Sequence, residues 1–253
     1  MNANMSSTPV KVLVVDNDPA MRRTLRGSLT AHGYAIEEAR TGEEAIAGAG
    51  RRRPDLVLLD VEMPGMGGIE ACRRLRSIFP LAGVVMITVC DREEDKIHAL
   101  EAGADDYITK PFSVRELLAR LRAITRRLGS HLPEGVVLRV GDLELDTHRH
   151  TLRKAGEEVR LSPIEFGLLS YLMQHANVPI EHARLLRAIW GPEYGSELEY
   201  LRTYIKRLRK KIESDAIHPA YLMTVPWLGY RFCTPALASE SSIAMETAHA
   251  TGG

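Results

Sequence analysis

Residues 56–68 read LVLLDVEMPGMGG: four consecutive apolar residues that end on an acid, Asp60, followed by a loop rich in Gly and Pro. An apolar run without polar alternation suits a strand covered on both faces. Asp60 then stands at the carboxyl end of that strand, where open parallel sheets place their ligands. Three further segments repeat the pattern. VLVVDND (12–18) brings Asp16, Asn17 and Asp18, VVMITV (84–89) brings Thr88, and AGADDYITKPF (102–112) brings Lys110. Between these runs, and beside a weaker one at Tyr34–Ala39, lie stretches with helical spacing at Ala20–Ala31, Glu43–Gly50, Gly68–Ile78, Glu93–Ala102 and Val114–Arg127. Five βα units in succession predict an α/β domain, a parallel sheet with helices on both sides.

An acid after a strand is most often a helix cap or a turn residue, and no single member of this set is specific. Four strands that deliver carboxylates, a hydroxyl and an ammonium to one edge form a chemically coherent group. Clustered carboxylates attract a hard cation such as Mg²⁺. A carboxylate can attack phosphorus and form an aspartyl phosphate. Lys110 and Thr88 can then hold the phosphoryl oxygens by charge and hydrogen bond.

The βα pattern stops near Leu128, and residues 128–135 read as a linker. Four short strand-like pieces follow, then helical stretches at Ser162–His175, Glu181–Ile189 and Ser196–Ser214. Ser162-Pro163-Ile164-Glu165 has the form of a helix start, with a capping Ser, Pro at the first position and an acid in the first turn. A last pair of strand-like pieces flanks Pro226-Trp227-Leu228-Gly229 and predicts a hairpin. Residues 206–211 (KRLRKK) hold five cations in six positions, with Arg202 one turn earlier. Leu198, Leu201, Ile205, Leu208 and Ile212 recur at three- and four-residue spacing, so one face is core and the other cationic. A solvated basic helix is the plainer reading. The hairpin directly after it favours nucleic acid, because a helix can enter the major groove while a β-wing lies along the minor groove.

The chain has 253 residues, enough for two domains, and its 33 basic and 33 acidic side chains cancel. Any polyanion site must therefore come from local clustering. Three cysteines far apart argue against a disulfide framework, and no apolar run approaches a membrane span, so a cytoplasmic protein is expected. Residues 1–9 read as a disordered lead-in and 235–253 as a mobile tail.

The motifs quoted from the first half resemble the receiver domain of response regulators over residues 10–127. The resemblance implies a five-stranded flavodoxin-like sheet of order 2-1-3-4-5, with Asp60 phosphorylated by a sensor histidine kinase. It implies Mg²⁺ held by Asp16, Asn17, Asp60 and the backbone carbonyl of Glu62, a switch pair Thr88 and Tyr107, and a phosphate-sensing Lys110 before a cis Pro111. Two positions depart from the pattern. Asn17 stands where the family normally has a second acid on the metal, so weaker Mg²⁺ binding and weaker phosphorylation are expected. Val89 stands where a smaller residue is frequent, which narrows access to Asp60. By the same resemblance Lys96, Ile97, Leu100, Glu101, Asp105, Asp106, Glu116, Arg120 and Arg122 form a face on which activated receivers pair into a homodimer. Lys96–Glu116 and Asp106–Arg120 would be its cross-subunit pairs.

Residues 136–234 resemble the OmpR/PhoB-type α+β winged helix, through LSPIEFGLLSYL, LLRAIWG, YLRTYIKRLRKKI and GYRF. This implies operator DNA as partner, with Arg202, Thr203, Lys206 and Arg207 reaching bases and Tyr204, Arg209 and Lys210 on phosphates. The loop Trp190–Tyr194 (WGPEY) can contact RNA polymerase in the family; its plainer use is packing of Trp190. Within the branch, Ala31-His32-Gly33-Tyr34, WGPEYG and Tyr200-Leu201-Arg202 are similar to regulators of Kdp potassium-transporter operons, which implies a KdpD-like kinase. Two rivals stand beside this reading. A doubly wound domain with an aspartyl nucleophile also describes phosphatases of the haloacid-dehalogenase type, and Asp60-Val61-Glu62 imitates their paired acids weakly. A DNA-binding regulator independent of phosphorylation is the other, and Asn17 is its support.

Overall fold

The structure is a computed structural model that describes residues 9–49, 51, 53–90, 92–128 and 136–234. The lead-in, the linker and the tail expected from the sequence lie outside the described residues, except for Pro9 and Leu128 at their edges. The chain divides into two compact units that part between Thr125 and Arg126. Among the described residues no helix is long and apolar enough to cross a membrane.

The first unit alternates strand and helix: β1 (Lys11–Val15), α1 (Pro19–Thr30), β2 (Ala35–Ala39), α2 (Gly42–Ala47), β3 (Leu56–Asp60), α3 (Gly67–Ile78), β4 (Gly83–Thr88), α4 (Glu93–Ala102), β5 (Asp106–Thr109) and α5 (Val114–Leu128). All pairings are parallel, in the order β2-β1-β3-β4-β5. β3 and β4 are buried along their whole length, as their unbroken apolar runs require. β2 is a sheet edge and carries Glu37 and Glu38, which is why its apolar signal is weak. Asp60 and Thr88 are the last residues of their strands rather than the first of the loops, so the sheet itself fixes where they stand. Asp18 caps α1, its side chain accepting from Ala20 N at 2.8 Å. Gly68 opens the way for α3 to approach the active edge, since a Cβ there would lie 2.2 Å from the Asp60 carbonyl oxygen.

The second unit starts with an antiparallel meander, β6 (Val137–Val140), β7 (Leu143–Asp146), β8 (Thr151–Lys154) and β9 (Glu157–Val159). Then come α6 (Pro163–Gln174), β10 (Ile180–Glu181), α7 (His182–Ile189), α8 (Leu198–Ile212), β11 (Leu222–Val225) and β12 (Gly229–Phe232). The strands β10, β12 and β11 make a small sheet with β12 central. The sequence reading missed β10 because it is two residues long and ends on Glu181, where a helix was expected to begin. Gly229 lets β10 and β12 meet: a Cβ there would stand 1.9 Å from the Ile180 carbonyl oxygen.

α6 begins with the expected capping box. Ser162 N donates to Glu165 Oε2 at 2.8 Å and Glu165 N to Ser162 Oγ at 3.4 Å. Glu165 is also wholly buried, and it holds two cations of α8: Arg207 Nε at 3.0 Å and Lys211 Nζ at 2.6 Å. Burial pushes its carboxyl upward, but the charges of Arg207 and Lys211 outweigh this and hold it below the ordinary carboxylate value. A depressed folded pKa gives stability that is present above the unfolded pKa and lost as pH falls through the folded value. Glu165→Gln should therefore cost about 3 kcal/mol at neutral pH, since it strands two cations. Urea unfolding followed at descending pH should show the gap to wild type closing in acid.

Candidate functional sites

The carboxyl edge of the parallel sheet gathers the residues named from sequence. Asp16 and Asp60 are both nearly fully buried. Lys110 lies between them, with Nζ 3.1 Å from Asp60 Oδ1 and 3.4 Å from Asp16 Oδ2. Burial raises the Asp16 pKa; the backbone N–H of Asp18 opposes this, the Asp60 charge adds to it, and Lys110 opposes it. The net direction is upward, so two carboxylates share one ammonium in a poorly solvated pocket. Burial lowers the Lys110 pKa, but hydrogen bonding and charge from Asp60, with Asp16 behind it, raise it on balance. Glu62 N donates to Asp60 Oδ1 at 3.5 Å, which keeps that stretch of backbone beside the acceptor. Asn17 is exposed on the turn between β1 and α1. Asp18 is committed to its cap and does not replace the missing acid.

Thr88 is buried, and its hydroxyl oxygen accepts from Cys90 N at 3.0 Å. Tyr107 is buried as well, its hydroxyl donating to the carbonyl of Cys90. Thr88 and Tyr107, the expected switch pair, thus converge on one backbone segment after β4, from β4 and from its neighbour β5. Val89, between Thr88 and Cys90, is exposed. The Lys110–Pro111 peptide is cis. The sequence did not single out Arg22. Its Nη1 donates to the Asp16 carbonyl at 2.7 Å while Nε lies 3.4 Å from Glu38, so α1 braces the acidic turn. A lone Arg in a helix gives no signal for such a backbone contact.

In the second unit α8 sorts its cations. Arg202, Lys206 and Lys210 are exposed at four-residue spacing, a stripe along one face. With Arg209, Ile217 and Tyr230 they line a groove of about 470 Å³. Four residues expected at the nucleic acid are not free to reach it. Thr203 and Tyr204 are buried, Tyr204 against Trp190 with ring centres 5.3 Å apart. Arg207 turns inward to Glu165, its guanidinium 5.1 Å over the Tyr204 ring. Arg209 grips the hairpin, with Nε and Nη2 donating to the Leu222 carbonyl at 2.9 and 2.6 Å and Nη2 to Thr224 Oγ1 at 2.9 Å. Packing decides the WGPEY loop too: Trp190 and Tyr194 are buried, while Pro192 and Glu193 stay exposed.

Residues 12–122 match the response regulator receiver domain, and residues 156–232 match the C-terminal domain of transcriptional regulatory proteins. The transcriptional regulatory protein KdpE of Mycobacterium tuberculosis is 40% identical over 222 residues, 87% of this chain and 98% of that protein. The KDP operon transcriptional regulatory protein KdpE of Escherichia coli is 38% identical over 221 residues, again 87% and 98%. The chain belongs to the OmpR/PhoB-type response regulators. A solved RitR mutant shares the fold, with TM-score 0.71 at 22% identity over 88% of this chain and 98% of that one.

Response regulators of this type combine a receiver with a DNA-binding output domain, and only part of the receiver face expected to pair is at the surface. Ile97 and Lys96 are half-buried, and Glu101 and Glu116 are exposed. Leu100 is fully buried and belongs to the core, not to an apolar surface centre. Asp105 is also fully buried; it pairs with Arg76 of α3 and accepts from Val84 N at 2.8 Å. Asp106 and Arg120 pair within one chain at 3.1 Å, and Arg120 also holds Glu116 at 2.9 Å. Burial raises the Tyr34 phenol and the charge of Arg122 opposes it. Arg122 is exposed on α5.

The two kinds of cation on α8 should separate by mutation. Lys210→Ala, at an exposed position of the stripe, should leave unfolding unchanged but lower the salt slope of binding to random-sequence duplex DNA by about 1. Arg209→Ala should instead destabilise the fold by about 2 kcal/mol through the lost hairpin bonds. Fluorescence anisotropy across a salt series, with urea unfolding alongside, checks both.

Proposed function

We propose that this response regulator is switched by phosphoryl transfer from a sensor histidine kinase to Asp60, that phosphorylation pairs its receivers, and that the pair binds an operator controlling potassium transport. The carrying observation is the meeting of Asp60, Asp16 and Lys110 at one sheet edge in a chain that also bears an exposed cationic stripe on α8. The potassium assignment rests on the similarity to the two KdpE proteins, and it implies a KdpD-like kinase.

The residues present suit the transfer. An Asp60 carboxylate oxygen forms a bond to phosphorus as the phosphorus–nitrogen bond of a phosphohistidine breaks, the pair of electrons leaving with the imidazole nitrogen. Lys110, already against Asp60, follows the negative charge onto the phosphoryl oxygens. Thr88 accepts from Cys90 N through its oxygen, which leaves its own O–H able to donate to the phosphoryl group. The acidic pair fits a hard divalent cation, because two buried carboxylates outnumber the one ammonium. Mg²⁺ would take oxygens of Asp16, Asp60, Asn17 and the Glu62 backbone, and when bound it offsets repulsion between the carboxylate and the phosphoryl group. Among the described residues no three His, Cys, Asp or Glu side chains converge as a metal site.

Receiver pairing would use the α4–β5–α5 face, reduced to Lys96, Ile97, Glu101, Asp106, Glu116, Arg120 and Arg122, with Arg120 exchanging its internal partners for those of a second copy. Contact with RNA polymerase would fall to Pro192 and Glu193, the exposed part of their loop.

Incubation with acetyl phosphate, read by intact mass, should modify wild type and leave Asp60→Asn unmodified. Asn17→Asp should reach half-modification at about tenfold lower Mg²⁺, by restoring a charged ligand. Equal Mg²⁺ dependence of the two would sink the weakened-site reading. In sedimentation of acetyl-phosphate-treated protein, Arg120→Ala should move the population from dimer toward monomer.

A further inference from the structure

The hairpin between β11 and β12 carries a feature that the basic helix does not explain. Its tip is Pro226-Trp227-Leu228, and all three residues are exposed. Trp227 is fully exposed, the most exposed large apolar side chain among the described residues. Its backbone has φ +66°, in the left-handed region that favours glycine and that a bulky residue adopts only under strain. A glycine would relieve the turn. Strain retained together with an indole held fully in water points to a use for that ring.

The tip is fixed in place. Leu228 N donates to the Val225 carbonyl at 3.2 Å, and the Leu228 carbonyl accepts from His182 N at the start of α7 at 3.1 Å. Arg209 of α8 ties the base of the hairpin through Leu222 and Thr224. Tyr230 of β12 lines the same groove as Arg202, Lys206 and Lys210. The tip is thus a rigid extension of the cationic face.

Its chemistry differs from that face. Residues 225–230 read VPWLGY and hold no charge, so the tip cannot draw a phosphate. A flat apolar ring can stack on a base or sugar, or enter as a wedge between base steps of the minor groove. The exposed area is too small for a second copy of the chain: an indole buries at most about 250 Å², against about 800 Å² per partner in a stable interface.

We propose that Trp227 is a DNA contact of the wing, an apolar ring that enters the minor groove beside α8 and binds by stacking rather than by charge. The proposal rests on the DNA-binding reading of the second unit. Its signature is affinity without salt dependence, the opposite of the α8 cations.

The full-length protein reports on this directly, because its other tryptophan, Trp190, is buried. The probe is a duplex of about 30 base pairs, selected by the protein from a random pool. Wild-type fluorescence should become shielded from acrylamide as duplex is added. Trp227→Gly suits the left-handed backbone and should fold at least as well. It should bind about tenfold more weakly with an unchanged salt slope, and Trp227→Phe should recover most of the loss. Unchanged affinity in Trp227→Gly, or continued quenching at saturating duplex, would overturn the proposal while binding by wild type and the lower salt slope of Lys210→Ala keep the DNA reading intact. Shielding that grows with protein concentration in the absence of DNA would also overturn it, and would assign the tip to a second copy. Failure of wild type to bind any duplex would remove both readings together.

Discussion

A single buried carboxylate organises the DNA-binding half. Glu165 closes the first turn of α6 by its reciprocal bonds with Ser162, and it takes Arg207 and Lys211 from α8. An uncompensated charge in that position would be very unfavourable, so both cations must stay turned inward. This fixes the rotation of α8 about its axis. Once Arg207 and Lys211 face α6, Arg202, Lys206 and Lys210 have to face outward, three residues at one-turn intervals. Arg209 then falls on the hairpin side and bonds to β11. A run of five cations is in this way divided between structure and surface, and the division follows from one acid that lies 46 residues before Lys211.

Buried charge also shapes the receiver. Lys110 is held between two carboxylates, and Arg76 reaches across from α3 to the fully buried Asp105. The two pairs differ in balance. Arg76 and Asp105 match one for one, and Arg76 also donates to the Gly103 carbonyl at 3.0 Å, so the pair is satisfied and serves the fold. Asp16, Asp60 and Lys110 leave one negative charge over, and that imbalance at an accessible sheet edge is what a cation and a phosphoryl group could act on. A satisfied buried pair holds elements together, whereas an unbalanced one is poised for chemistry.

These contrasts mark how much the sequence could convey. Strands β1, β3 and β4 were legible because both faces of each are covered, which writes an unbroken apolar run. The sites at their ends followed from the rule that parallel strands present ligands at their carboxyl edge. Direction was less legible where neighbours look alike. Asp105 and Asp106 are adjacent acids at the start of β5, and successive side chains of extended backbone point to opposite faces. One therefore meets Arg76 of α3 and the other Arg120 of α5. The inward turn of Arg207 was not legible for a related reason: helical spacing shows which residues share a face, but Glu165, whose capping role alone could be read, decides which face is inside. β10 was missed because two residues carry no periodicity at all.

Asn17 shows how the same physics links stability to control. A second acid beside Asp16 would raise the excess charge of the pocket from one to two, with only Lys110 against it. That added charge, although at an exposed position, would stand beside the buried pair and disfavour the folded receiver until a cation arrived, so metal binding would then be coupled more strongly to folding. The amide removes that repulsion. It would make the resting pocket easier to maintain and, for the same reason, would reduce what a divalent cation gained by binding there. Under the proposed metal site, resting stability and metal affinity would thus be set against each other by one side chain. At a site built from unbalanced carboxylates, a substitution that relieves the apo state necessarily weakens the driving force for the loaded one.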